Sequence, residues 1–349
     1  MSITNKLRDR AFRRIMKLPK SLLQRLAGPI TTIDGRTLDP QIQLLLTLAR
    51  IMGIRDSDDV AKARHAMDHD MAAVAPRLIA QKRERDLFVD GAAGKRAARL
   101  YVPTTAIAKP PLLVFFHGGG FAVGSIASHD AAVRELAHES ACAVLSVDYR
   151  LAPENKAPTA PEDGLAAYLW ARAHAEDLGV DGERIGVGGD SAGGNLAAVL
   201  SHLCVERGHR VPEAQILIYP ATELTCAMAS HRTFGKGFLL EEARVQWYFA
   251  KYLNNDAEKR EPYVSPLFYE RFDRLPRAVV VTAGFDVLRD EGIAYAEKLR
   301  AAGIDVTSRC EPGLVHGFFN MSGVVDAARE ANLRIANDVN RALVKSALA

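Results

Sequence analysis

The sequence predicts an α/β fold: a mostly parallel, eight-stranded sheet with helices on both faces and a helical cap over one end. Three observations lead there. From Asp86 onward, short β-rich runs alternate with helical stretches, the pattern of strand–helix–strand units. Leu112 to Phe116 and Val279 to Val281 are continuously apolar, as strands covered on both faces are. A chain of 349 residues with 48% hydrophobic and 25% charged residues can build a large core, which argues against disorder and coiled coil. No apolar run approaches the ~20 residues needed to span a bilayer.

The elements follow in order. Residues 1 to about 30 read as an amphipathic helix, with Ile3, Leu7, Ala11, Ile15, Leu18 and Leu22 as its apolar stripe. Pro19 is expected to break or kink it. Helices follow at 40–52 and 57–71. Strands are expected at 86–89, 98–102, 112–117, 142–148, 184–188, 214–219, 278–283 and 304–310. Helices fill the gaps at about 128–139, 158–177, 192–206, 288–302 and 325–346. Between strands 214–219 and 278–283 lie nearly sixty residues, including Trp247, Tyr248, Phe249 and Tyr252. They read as an insertion folding over one end of the sheet. The expected division is 1–84 as N-terminal helices and part of the cap, 85–221 with 266–349 as the main domain, and 222–265 as the cap insertion.

Four sites carry chemistry. Gly189-Asp190-Ser191-Ala192-Gly193 follows an apolar strand and opens an Ala- and Leu-rich helix, the context of a nucleophile elbow. Alone, Gly-x-Ser-x-Gly arises by accident in roughly one chain in ten of this size; its strand–turn–helix setting makes it specific. His117-Gly118-Gly119-Gly120 directly follows strand 112–116. Consecutive glycines let a loop turn its N–H groups toward a developing oxyanion. Gly118 and Gly119, with the N–H of Ala192, are the expected donors, and His117 is expected to anchor the loop. Asp286 lies just past strand 278–283, and His316 lies in a Gly-flanked turn after strand 304–310. The chain order Ser191, Asp286, His316 is that of α/β-hydrolases and differs from the orders in chymotrypsin and subtilisin. All three follow C-terminal ends of parallel strands, the edge where such sheets bind ligands.

Each residue also has a plainer reading. Ser191 could serve only as a helix N-cap, Asp286 only cap the next helix, and His316 only satisfy its turn. Asp290 and Glu291 are rival acids expected inside that helix. Phe121, Phe234, Val287 and Phe318 are pocket candidates, whereas Trp247, Tyr248 and Tyr252 read as insertion core.

These motifs closely resemble those of the hormone-sensitive-lipase-like esterases, the bacterial family IV branch of the α/β-hydrolase superfamily. The matching strings are His117-Gly118-Gly119-Gly120-Phe121, Asp148-Tyr149-Arg150-Leu151-Ala152-Pro153-Glu154, Gly189-Asp190-Ser191-Ala192-Gly193-Gly194, Ser265-Pro266-Leu267, Asp286-Val287-Leu288-Arg289-Asp290-Glu291-Gly292 and His316-Gly317-Phe318. They span about residues 85 to 325. Val287 departs from the proline that the family often has there. The resemblance implies an α/β-hydrolase fold, hydrolysis of short- to medium-chain carboxylic esters through an acyl-enzyme, no cofactor, a cap, and dimerisation in many members. A small-molecule receptor on the same fold is the main alternative, and the presence of His316 favours the enzyme. An interfacial lipase, amidase, lactonase or acyltransferase stays open.

The net charge of +3 is too balanced to imply a nucleic-acid partner. Met1 to Arg25 nevertheless hold eight Lys or Arg against one acid, Asp9. This basic arm reads first as a solvated helix packed on the cap, then as a peripheral membrane contact through residues 1–30. Cys142, Cys204, Cys226 and Cys310 form no C-x-x-C, so no metal site is expected and each reads as a buried thiol. His129, His138, His174, His202, His209 and His231 read as structural. The N-terminus lacks a secretory pattern, and a cytoplasmic setting is expected.

Overall fold

The structure is a computed structural model that describes residues 11–53 and 57–344. Its main sheet holds eight strands: β3 (Arg83–Gly91), β4 (Gly94–Val102), β5 (Leu112–Phe116), β6 (Ala143–Val147), β7 (Ile185–Asp190), β8 (Ala214–Ile218), β9 (Arg277–Phe285) and β10 (Val306–Val315). Their order across the sheet is β10-β9-β8-β7-β5-β6-β4-β3. From β10 to β6 every pair is parallel, whereas β6–β4 and β4–β3 are antiparallel. All residues of β5, β6, β7 and β8 are buried, which is why, Asp190 and Gln215 apart, they read as apolar or small-residue runs. The antiparallel end is more exposed: along β3, Leu87 and Val89 turn inward while Asp86, Phe88 and Asp90 are exposed.

Before the sheet come β1 (Thr32–Ile33) and β2 (Arg36–Thr37), a hairpin the sequence reading misses. Two-residue strands show no periodicity, but the Asp34-Gly35 pair at its tip, both at positive φ, is a hairpin signal. Three helices frame it: α1 (Lys20–Ala27), α2 (Pro40–Ile51) and α3 (Val60–Val74). Residues 11–15 are also helical, and Pro19 caps the new start at α1. The break shifts the apolar phase. Met16, Leu23 and Ala27 are buried, while Ile15 and Leu22 of the expected stripe are exposed. Ile3 and Leu7 lie outside the described residues.

Around the sheet stand α4 (Ile126–Ser140), α5 (Thr159–Ala173), α6 (Ala192–Glu206), α9 (Arg289–Ala301) and α10 (Asp326–Val339). The insertion after β8 supplies α7 (Ala229–Phe234) and α8 (Glu242–Tyr252). The N-terminal segment and the insertion meet, since Arg244 on α8 donates to the Ser57 carbonyl at 3.0 Å. Arg64 on α3 donates to the carbonyls of Ala122 and Ala152 and forms a bidentate pair with Glu154. Both segments therefore sit against the loops that leave the C-terminal strand ends.

Candidate active site

The turn from β7 into α6 is built for close approach. Ser191 sits at φ 56° and ψ −119°, a conformation that costs a non-glycine residue roughly 1–3 kcal/mol. A Cβ at Gly193 would lie 1.9 Å from the Phe116 carbonyl oxygen, and one at Gly189 would lie 2.3 Å from it. Glycine at both positions lets the end of β5 press against the turn. Ser191 occupies the N-cap position of α6 yet makes no capping hydrogen bond. Its Oγ stands instead 2.8 Å from His316 Nε2.

β9 and β10 run longer than the sequence suggests, to Phe285 and Val315, so Asp286 and His316 each follow a strand end directly. The other ring nitrogen, His316 Nδ1, lies 2.8 Å from Asp286 Oδ2. Asp286 Oδ1 accepts from the Leu288 N–H at 3.0 Å. The buried carboxylate thus caps the following turn and orients the imidazole at once. The rival acids face elsewhere: Asp290 accepts from the Ser230 N–H and pairs with Arg289, and Glu291 accepts from the Thr222 N–H.

The glycine loop corrects one expectation. The Gly118 N–H donates to Asp190 Oδ1 at 2.8 Å, so it is not free to meet a ligand. No described residue accepts from the N–H groups of Gly119, Gly120 or Ala192. Gly119 and Gly120 adopt positive φ, which turns the loop after its anchored first glycine. Asp190 is fully buried; His129 Nε2 lies 3.2 Å from Oδ1, and the Tyr219 hydroxyl donates to Oδ2 at 3.2 Å. Burial alone would raise the Asp190 carboxyl pKa, but His129 and the Gly118 N–H outweigh it and hold it below the usual value.

His117 anchors the loop from behind. Its Nδ1 donates to the Gly118 carbonyl at 2.8 Å, and its ring stacks on Tyr149, whose hydroxyl donates to the His117 carbonyl. Burial, then the neighbouring His129, lowers the His117 pKa, so the ring is neutral.

The four pocket candidates are packing residues. Phe121 stacks on Tyr252 at 3.9 Å, Phe234 meets Phe238 and Phe285 edge-on, and Phe318 meets Tyr219. With Val287 they are at most 1% exposed, which leaves no surface for a substrate. Two other residues reach the site from the insertion. The Tyr248 ring covers Gly120 so closely that a Cβ there would lie 2.2 Å from Tyr248 Cγ. The exposed Leu239 places Cδ2 3.9 Å from where a Cβ on Gly317 would stand, beside His316. Neither has a sequence motif; only the aromatic character of the segment around Tyr248 hints at it.

Comparisons with known proteins identify the family. A family profile described as alpha/beta hydrolase fold matches residues 113–320. The chain belongs to the α/β-hydrolase family. Within it, the relatives place the chain in the hormone-sensitive-lipase-like branch. It is 43% identical to the carboxylic ester hydrolase LipN of Mycobacterium tuberculosis, over 84% of this chain and 80% of that one. It is 37% identical to an ethyl acetate hydrolase of Pseudomonas putida, over 70% of this chain and 78% of that one. A solved ester-hydrolase, EH1AB1 from the metagenome of Lake Arreo in complex with a bipyridine phosphonate derivative, superposes with a TM-score of 0.84. That α/β-hydrolase homologue is 38% identical and covers 87% of this chain and 98% of its own.

Proposed function

We propose that this protein is a serine carboxylesterase that hydrolyses short- to medium-chain esters through an acyl-enzyme. The observation that carries the reading is the 2.8 Å approach of His316 Nε2 to a Ser191 hydroxyl that does no capping. His316 takes the Ser191 proton as Oγ attacks the ester carbonyl, and later gives it to the leaving alcohol. Asp286 holds the Nδ1 proton and stabilises the imidazolium. The oxyanion is met by the N–H groups of Gly119, Gly120 and Ala192; Gly118 serves the loop's anchorage instead. Water then enters by the same route and releases the acid. The ethyl acetate hydrolase among the relatives supports a small acyl group, and the insertion side chains Tyr248 and Leu239 set the limits of the space.

The decisive experiment combines fluorophosphonate labelling with hydrolysis of a p-nitrophenyl ester series. Labelling at Ser191 and a fall in rate with acyl length support the reading. A Ser191→Ala variant that keeps most of its activity overturns it.

A peripheral membrane contact is a second reading for the N-terminal segment. No helix among the described residues is long and apolar enough to cross a membrane. Ile15, Leu22, Leu26 and Ile30 are nonetheless exposed on a segment rich in Lys and Arg, which suits an anionic lipid surface. Co-sedimentation with anionic vesicles tests it; equal, negligible binding with and without residues 1–30 removes it.

A further inference from the structure

The insertion brings together a second cluster of reactive side chains, distinct from the Ser191, Asp286 and His316 set. Cys226, His231 and Glu242 each offer one ligand atom, and these atoms lie within 4.8 Å of one another. They come from three places: the loop before α7, α7 itself and the first residue of α8. His231 Nδ1 faces Glu242 Oε2 at 2.6 Å. The opposite nitrogen, Nε2, lies 3.1 Å from Oε2 of Glu291, a fully buried carboxylate on α9. Glu291 is itself fixed, since its Oε1 accepts from the N–H groups of Thr222 and Glu223. Gln246, one turn along α8, donates to both Cys226 Sγ and Glu242 Oε1.

We propose that Cys226, His231 and Glu242 bind a divalent transition-metal ion of the zinc type. Thiolate, imidazole and carboxylate are a donor set suited to zinc, with water as the fourth ligand. The carboxylate behind the imidazole supports this. Metal-bound histidines donate their second ring N–H to such a group, which fixes the ring and strengthens the nitrogen as a donor. Glu291 occupies that position on His231. The ion takes the place of the Nδ1 proton now shared with Glu242, and Cys226 binds as the thiolate, so two protons leave per ion bound. Glu242 is a third exposed, which gives the ion a route in. Binding would pin the insertion to α9. Ser230, next to His231, already donates to the Val287 carbonyl beside Asp286. The proposal does not depend on the esterase reading.

The test uses the full chain, stripped with a chelator and dialysed against zinc. One equivalent of zinc is expected to stay bound through gel filtration, and the Tm is expected to rise with zinc concentration. Cobalt in its place should give a thiolate-to-cobalt charge-transfer band. Cys226→Ser should abolish the band, and Glu242→Gln, at a partly exposed position, should weaken zinc retention at least tenfold. Ser191→Ala should bind zinc like the parent. Absence of stoichiometric zinc in the parent chain, or equal retention by Cys226→Ser, overturns the proposal.

Discussion

Asp190 and Gly118 are joined by a 2.8 Å hydrogen bond from the loop N–H to the carboxylate. The residue preceding the nucleophile thereby holds the glycine loop in register with it. Asp190→Ala leaves this buried donor and the Tyr219 hydroxyl without their partner. Unmet buried groups of this kind cost about 1–3 kcal/mol each. We expect kcat to fall ~10–100-fold, with fluorophosphonate still labelling Ser191. Steady-state kinetics beside a labelling time course check this.

Ser191 stores backbone strain at φ 56°. Ser191→Gly removes the side chain that is strained there. Activity should vanish while stability rises by about 1 kcal/mol. Urea unfolding of the two proteins gives the comparison, and a less stable glycine variant would contradict the strain argument.

Gly120 and Tyr248 share one space. A Cβ on Gly120 would meet the ring at 2.2 Å, so Gly120→Ala must push Tyr248 aside or shift the loop. We expect kcat/KM to drop ~10-fold or more, with part of the loss restored when Tyr248→Ala is added, as for coupled neighbours. A purely additive double variant would separate the two residues.

His202 gives acid sensitivity far from the site. Burial lowers its pKa to about 3, while its ring lies flat on Tyr269 and Nε2 approaches the Tyr295 hydroxyl. The folded pKa is thus below the unfolded value of about 6.5. The unfolded chain takes up a proton that the folded chain refuses, so this contribution is absent above that value and destabilises progressively as pH falls from it toward 3. The slope reaches ~1.4 kcal/mol per pH unit. His202→Phe should flatten the fall in urea midpoint between pH 6 and pH 4.

The strands were legible because burial on both faces leaves an unmistakable apolar run, as in Leu112 to Phe116. Ser191 and Asp286 could be placed because each follows such a run, whereas His316 ends the partly exposed edge strand β10 and was marked by its glycine-flanked turn. Gly118 could not be separated from Gly119 and Gly120, since three identical residues carry no sign of which N–H another side chain takes. Tyr248 and Leu239 reach the site from an insertion whose path no periodicity dictates. The sequence shows no sign that His231 meets Glu242 and Glu291, because α8 and α9 come together only in the folded chain. The N-terminal stripe failed for a local reason: Pro19 restarts the helix and resets which residues face inward.

Arg64 reaches from α3 to the Ala122 and Ala152 carbonyls and to Glu154, just beyond the loop that holds Gly119 and Gly120. The helix that carries Arg64 is therefore a buttress for that loop. Trimming that helix to obtain a minimal sheet would slacken the reaction centre from outside, even with every reacting group still present.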